Sequence, residues 1–80
     1  MKSVQIRYFA ILREQRGVVE ETVSTSAATP RALYAELQER HHFSLPHEML
    51  RVVVNSEFSD WDVALVGGES IVFIPPVAGG

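Results

Sequence analysis

Ile71-Val72-Phe73-Ile74-Pro75-Pro76-Val77-Ala78-Gly79-Gly80 is the stretch on which the fold turns. Its first four residues are all apolar, three of them β-branched and one aromatic, and they read as a strand buried on both faces. Such a strand belongs in the middle of a sheet. Pro75 and Pro76 end it, because neither can donate a ladder hydrogen bond, and each fixes its own φ near the extended value. Beyond them the side chains shrink to nothing. An ordinary frayed end is usually polar, with Ser, Glu or Lys; this one is stiff and then bare. Six extended residues reach about 20 Å past the sheet. A tail of that shape fits a narrow channel in another protein. Its one reactive group is the Gly80 carboxylate, which has no Cβ beside it to hinder attack.

Upstream of this strand, which starts near residue 69, Gly67-Gly68 marks a turn. Trp61 and Leu65 anchor an irregular segment before it, and Glu57-Phe58 reads as a short strand after the turn Asn55-Ser56. Leu50, Val52 and Val54 alternate with Arg51, Val53 and Asn55, which predicts a strand over 50–55. His41 to His47 is a loop with Phe43 and Leu45 tucked back. Thr29-Pro30 is a helix start, a hydroxyl N-cap followed by proline at the first helical position. The helix runs from 30 to about 41 with Leu33 and Leu37 one above the other, and Ala32 and Tyr34 beside them. At the front of the chain, Val4, Ile6 and Tyr8 alternate with Gln5 and Arg7, giving a strand over about 2–9. A short helical turn over 10–15 is stopped by Gly17. A second strand follows over 18–24 with Val19 and Val23 inward. Glu21 falls on the same face and marks an edge strand.

A hairpin, one crossing helix and a return to the sheet describe an α+β chain of the β-grasp, ubiquitin-like class. Its sheet is mixed, of four to five strands, with the helix packed on one face. Residues 1–74 form this domain and 75–80 an extended tail. One helix covers one face, so the other face is open and is expected to dock a partner. The candidates for that contact are Val72, Phe73 and Ile74, with Phe9 and Phe58 beside them, continuing through Pro75, Pro76, Val77 and Ala78 into the partner.

With 80 residues the core is modest and leaves little room for a deep cleft. A 46% apolar content argues for a folded domain. No apolar run approaches the ~20 residues of a membrane span, and the start of the chain lacks a signal-peptide pattern, so the expected compartment is the cytoplasm. The absence of cysteine removes disulfides, thiolate catalysis and cysteine-ligated metals. A formal charge of −3 disfavours nucleic acid as a partner.

Tyr8-Phe9-Ala10, Leu12-Arg13-Glu14, Val54-Asn55, Gly68-Glu69 and the run from Phe73 to Gly80 together resemble the small subunit of molybdopterin synthase, and the likeness covers nearly the whole chain. A final Gly-Gly is shared by all ubiquitin-like carriers; Pro-Pro-Val-Ala-Gly-Gly after an apolar strand is the specific part. Ser56 stands where that family commonly has glycine, and Gly67-Gly68-Glu69 replaces its usual Asp-Gly-Asp turn. The resemblance implies a sulfur carrier that is non-catalytic alone. An ATP-dependent adenylating enzyme (MoeB-like) would join the Gly80 carboxylate to AMP, and a sulfur donor protein would convert it to a thiocarboxylate. The tail would then enter the large synthase subunit and give its sulfur to the cyclic pyranopterin precursor, building the molybdopterin dithiolene. Family members form a heterotetramer of two large and two small subunits. No cofactor is held permanently; ATP is used by the partner.

The residues suit that chemistry. A carboxylate repels nucleophiles until it is joined to a leaving group, and the chain has no G-x-x-x-x-G-K-[ST] loop with which to bind a triphosphate itself. A thiocarboxylate supplies a nucleophilic sulfur without any thiol side chain. Gly79 and Gly80 let partner groups approach the backbone closely.

Rival sites are weaker. His41 and His42 point about 100° apart on a helix, and with His47 they have no completing ligand in sequence, so solvated loop histidines are expected and no metal. Arg13-Glu14 reads as a surface pair, and Glu57, Asp60 and Asp62 as a solvated acidic turn. Trp61 reads as a cap on the core. Two other roles share the same tail: a sulfur carrier for thiamin thiazole or tRNA thiolation, and a ubiquitin-like modifier joined through Gly80 to lysines.

Overall fold

The computed structural model describes residues 1–76. The order is β1 (Lys2–Tyr8), α1 (Ala10–Arg16), β2 (Glu20–Thr25), α2 (Pro30–His41), β3 (Arg51–Val54), β4 (Glu57–Ser59) and β5 (Ser70–Ile74), with a single 3₁₀ turn at His47–Met49. All five strands join one sheet in the order β2-β1-β5-β3-β4. The all-apolar strand β5 is indeed central, parallel to β1 and antiparallel to β3. β2 is an edge, as the misplaced charge of Glu21 implied. The mixed sheet under one main helix is the β-grasp, ubiquitin-like fold.

The local signals act where the sequence places them. Thr29 Oγ1 accepts from Ala32 N at the start of α2, and Pro30 follows at the first helical position. Gly17 ends α1 at φ +89°, in the left-handed region that favours glycine, with its N–H on the Arg13 carbonyl. Gly67 and Gly68 turn the chain into β5 at φ +111° and +84°. There the nearly buried Glu69 accepts from Val66 N and Gly67 N, at 2.7 and 2.8 Å.

α2 lays Leu33, Tyr34 and Leu37 on the sheet, all buried. Each such side chain contributes about 1.5–3 kcal/mol through burial. Beneath them lie Val4, Ile6, Tyr8, Val23, Val52, Ile71 and Phe73. The centre is aromatic: Tyr34 meets Phe73 edge-on at 5.1 Å between centroids, and Trp61 stacks on Phe73 at 5.9 Å and 8°. The segment around Trp61 is tied to α2 by backbone bonds, Arg31 N to Trp61 O and Leu65 N to Ala28 O. Trp61 therefore caps the core, as expected.

Some boundaries and facings differ. β1 ends at Tyr8, and β2 starts at Glu20. Val19 falls before the first strand residue of β2 and is half exposed instead of inward. The inner positions of β2 are Glu21, Val23 and Thr25, and buried Thr25 Oγ1 donates to Glu36 and accepts from Ala27 N. Ala32 is exposed. β3 is shorter than expected at each end, whereas α2 spans Pro30–His41 as expected. Among the described residues no helix is long and apolar enough to cross a membrane.

Candidate functional site: the open sheet face and the tail root

Strand alternation sends every second residue of the sheet away from the helices. The register then lines up one row across four strands. Arg7 pairs with Val72, Val72 with Val53, and Val53 with Phe58. A parallel row beside it joins Ile74 to Arg51. The result is an apolar strip of Val72, Val53, Ile74 and Phe58 between two arginines. Phe58 is 67% exposed and the Arg51 guanidinium lies 5.8 Å from its ring centroid. Arg7 bonds Glu20 at 3.3 Å, both half exposed. At one end of the strip Met49, Arg51, Ile74, Pro75 and Pro76 line a shallow groove, the root from which the chain leaves the sheet.

Of the residues expected to dock a partner, Val72, Ile74, Phe58 and Pro76 stand on or beside this face. Phe9 follows the pair Tyr8–Phe73 in extended backbone and is 41% exposed at the same edge. Phe73 does not belong there. It is fully buried on the helix side, under Trp61 and Tyr34. The reason is the period of two: 71 and 73 face the helix, and 72 and 74 face outward. Pro75 has the same parity and is buried at the strand end, touching the groove only along one side. Val77, Ala78, Gly79 and Gly80 lie outside the described residues. Val53, Arg51 and Met49 were not among the expected contacts. Val53 was readable, since it falls on the outer positions of β3 and strand pairing brings it beside Val72.

On the helix side of the sheet a hydrogen-bonded triad ties β1 to α1 and β2. Tyr8, the last residue of β1, donates its hydroxyl proton to Glu21 Oε2 at 2.6 Å. Arg16 donates to both oxygens of the same carboxylate, at 2.9 and 2.7 Å. The Arg16 hydrogen bond holds the Glu21 carboxyl below its ordinary range, against partial burial. Burial first, then Glu21, pushes the Tyr8 hydroxyl far above its ordinary value, so it stays a donor. Sequence reasoning missed this triad, because it depends on the end of α1 meeting β2.

The histidines serve structure. His41 packs on Phe43 at 5.7 Å and His47 on Trp61 at 5.1 Å between centroids. His42 closes α2 at φ +58°. Arg31 donates to His47 Nε2 and, bidentate, to Asp62. Among the described residues no three histidine or carboxylate side chains gather as a metal set. Asp62 is thus an ion-pair partner of Arg31.

The sequence profile of the ThiS family matches residues 6–80. The chain belongs to the ThiS family. Among solved structures, this ThiS-family chain is similar to a putative molybdopterin converting factor subunit 1 from Pyrococcus furiosus. The two are 28% identical at a TM-score of 0.78, over 96% of this chain and 100% of that one. It is also similar to SAMP1 from Haloferax volcanii, 25% identical at a TM-score of 0.80, over 98% and 99%. A third likeness is to the complex of subunits 1 and 2 of the molybdopterin-converting factor from Helicobacter pylori, 25% identical at 0.68, over 98% and 99%. No curated protein matches the chain in sequence. Partner-bound structures of this fold therefore exist.

Proposed function

We propose that this chain is a sulfur carrier, the small subunit of a molybdopterin synthase, working through the carboxylate of Gly80. The observation that carries the proposal is the central strand β5. It ends at Ile74 beside an uncovered apolar strip, and two prolines follow at once in the chain. Family membership and the likeness to converting-factor subunits support it.

In this reading a separate enzyme uses ATP to join Gly80 to AMP. A sulfur nucleophile attacks the acyl carbon, the bond to AMP breaks, and a thiocarboxylate remains. The open face then docks on the large subunit, and the tail carries its sulfur to the pyranopterin precursor. Fixing a tail in a partner's channel costs roughly 1–2 kcal/mol per residue, so the docked sheet supplies much of the affinity. Val72, Val53, Ile74 and Phe58 provide apolar area for it, and Arg7 and Arg51 favour an acidic rim on the partner.

The test is reconstitution. The thiocarboxylated chain, a molybdopterin synthase large subunit and the cyclic precursor are combined, and dithiolene formation is measured. Product at a stoichiometry of two carriers per molecule supports the reading. A thiocarboxylate that forms but gives no product with that subunit assigns the carrier to another sulfur acceptor.

A further inference from the structure

The two arginines that flank the apolar strip are not equivalent. Alternation places three charges at outward strand positions of the open face: Glu20 on β2, Arg7 on β1 and Arg51 on β3. Arg7 and Glu20 pair with each other at 3.3 Å. Arg16, Arg31 and Arg40 also hold carboxylates, those of Glu21, Asp62 and Glu36. Arg51 has no ion pair among the described residues. Its guanidinium lies instead 5.8 Å from the ring centroid of the exposed Phe58. A cation on a ring gains little while water covers both. A partner that covers Val72, Val53, Ile74 and Phe58 takes water from Arg51 as well. A guanidinium that loses water without gaining an acceptor opposes binding, whereas one met by a carboxylate gains charge-assisted hydrogen bonds. Arg7 has no such requirement, because Glu20 comes with it. A second copy of the chain does not meet the requirement through the same face. The outward carboxylate it offers, Glu20, is already held by Arg7, and its arginines would stand near those of the first copy. A phosphate backbone is disfavoured by the formal charge of −3.

We propose that Arg51, resting on Phe58, is the specificity-determining contact of the docking face: it takes one carboxylate of the synthase large subunit and rejects surfaces that lack one. The inference rests on the sulfur-carrier reading, which supplies the partner. Discrimination here comes from penalty as much as from attraction. The strip alone would accept any apolar patch of suitable shape. The unpaired guanidinium at its edge narrows the choice, since covering it without a partner leaves a desolvated charge. Arg51 also lines the groove with Met49, Ile74, Pro75 and Pro76, so the requirement is set where the chain leaves the sheet.

The test is calorimetric titration of the full chain into a molybdopterin synthase large subunit, at low and at moderate salt. Arg51→Gln is expected to bind about tenfold or more weakly than the wild type at low salt and to lose most of the wild type's salt dependence. The double variant Arg7→Gln with Glu20→Gln removes an exposed pair and is expected to stay within about threefold of the wild type. Thermal midpoints of these variants should match the wild type, because all three side chains are exposed. Neutralising the large subunit's interfacial carboxylates one at a time should find one whose loss weakens binding as Arg51→Gln does and adds nothing to it. Arg51→Gln binding as tightly as the wild type overturns the inference alone and leaves the sulfur-carrier reading standing. A wild-type chain that does not bind the subunit overturns both. A dimer of the free chain that Arg51→Gln abolishes would give this arginine to a second copy, and would overturn the proposal too.

Discussion

Glu21 shows what one residue does where β1, α1 and β2 meet. Its carboxylate accepts from Tyr8 and Arg16, with only 19% of its side chain exposed. Glu21→Gln removes the charge from both bonds. It is expected to lower the unfolding free energy by about 1.5–3 kcal/mol, read from urea titration. The pH dependence follows from the same contact. The Arg16 hydrogen bond sets the folded value of Glu21 below the ordinary 4.5, and the Val66 amide, with Gly67, does the same for Glu69. The folded chain then binds fewer protons than the unfolded one at acid pH. The stability from these groups is complete above pH 4.5 and is lost as pH falls through the lower folded values. Thermal midpoints should therefore drop below that pH, and the drop should shrink in Glu21→Gln. The sequence marked Glu21 as a charge on an inner face, but not its partners. An alternation pattern reports facing within one strand, and the guanidinium comes from the end of a neighbouring helix.

At the scale of the element, starts and stops were legible because their chemistry is local. Thr29-Pro30 opens α2 and Gly17 closes α1 by bonds to residues three or four away. Thr29→Ala should cost about 1 kcal/mol, measured by chemical denaturation. The β3–β4 turn is a place where the local choice is strained. Asn55 and Ser56 both have positive φ, 51° and 72°, as a tight hairpin turn requires. Asn55 tolerates this and also accepts from Ser70 N through Oδ1 at 3.0 Å. Ser56 gains nothing comparable among its hydrogen bonds. Ser56→Gly should stabilise the fold by up to about 1 kcal/mol, the left-handed penalty being partly offset by a more flexible unfolded chain. What was not legible in β5 was the split between its faces. Four apolar residues in a row carry no alternation, so the sequence groups Phe73 with the partner contacts, whereas Trp61 stacks on it from the helix side.

The whole molecule separates a face that folds the chain from a face left uncovered, which the proposed function gives to a partner. Phe73→Ala empties the aromatic centre and should cost about 3–5 kcal/mol, a large share of the stability of any small domain. Val72→Glu changes the adjacent residue on the open face. It should leave the unfolding transition nearly unmoved while weakening binding to a large subunit by about tenfold or more, measured by calorimetry. Unchanged binding would place the docking surface elsewhere. The order of elements was readable because eighty residues offer few ways to bury one helix on one sheet. The partner face was readable only as an absence of cover, and its arginine rim emerged from strand register. In the proposed function all of this serves a single reacting group, the carboxylate of Gly80. The most direct measurement is the intact mass of the chain after incubation with ATP, an adenylating enzyme and a sulfur donor. The account predicts replacement of one oxygen by sulfur at Gly80, and no change when that carboxyl is blocked as an amide. An unmodified mass in the unblocked chain, or sulfur delivery by the amide, would contradict it.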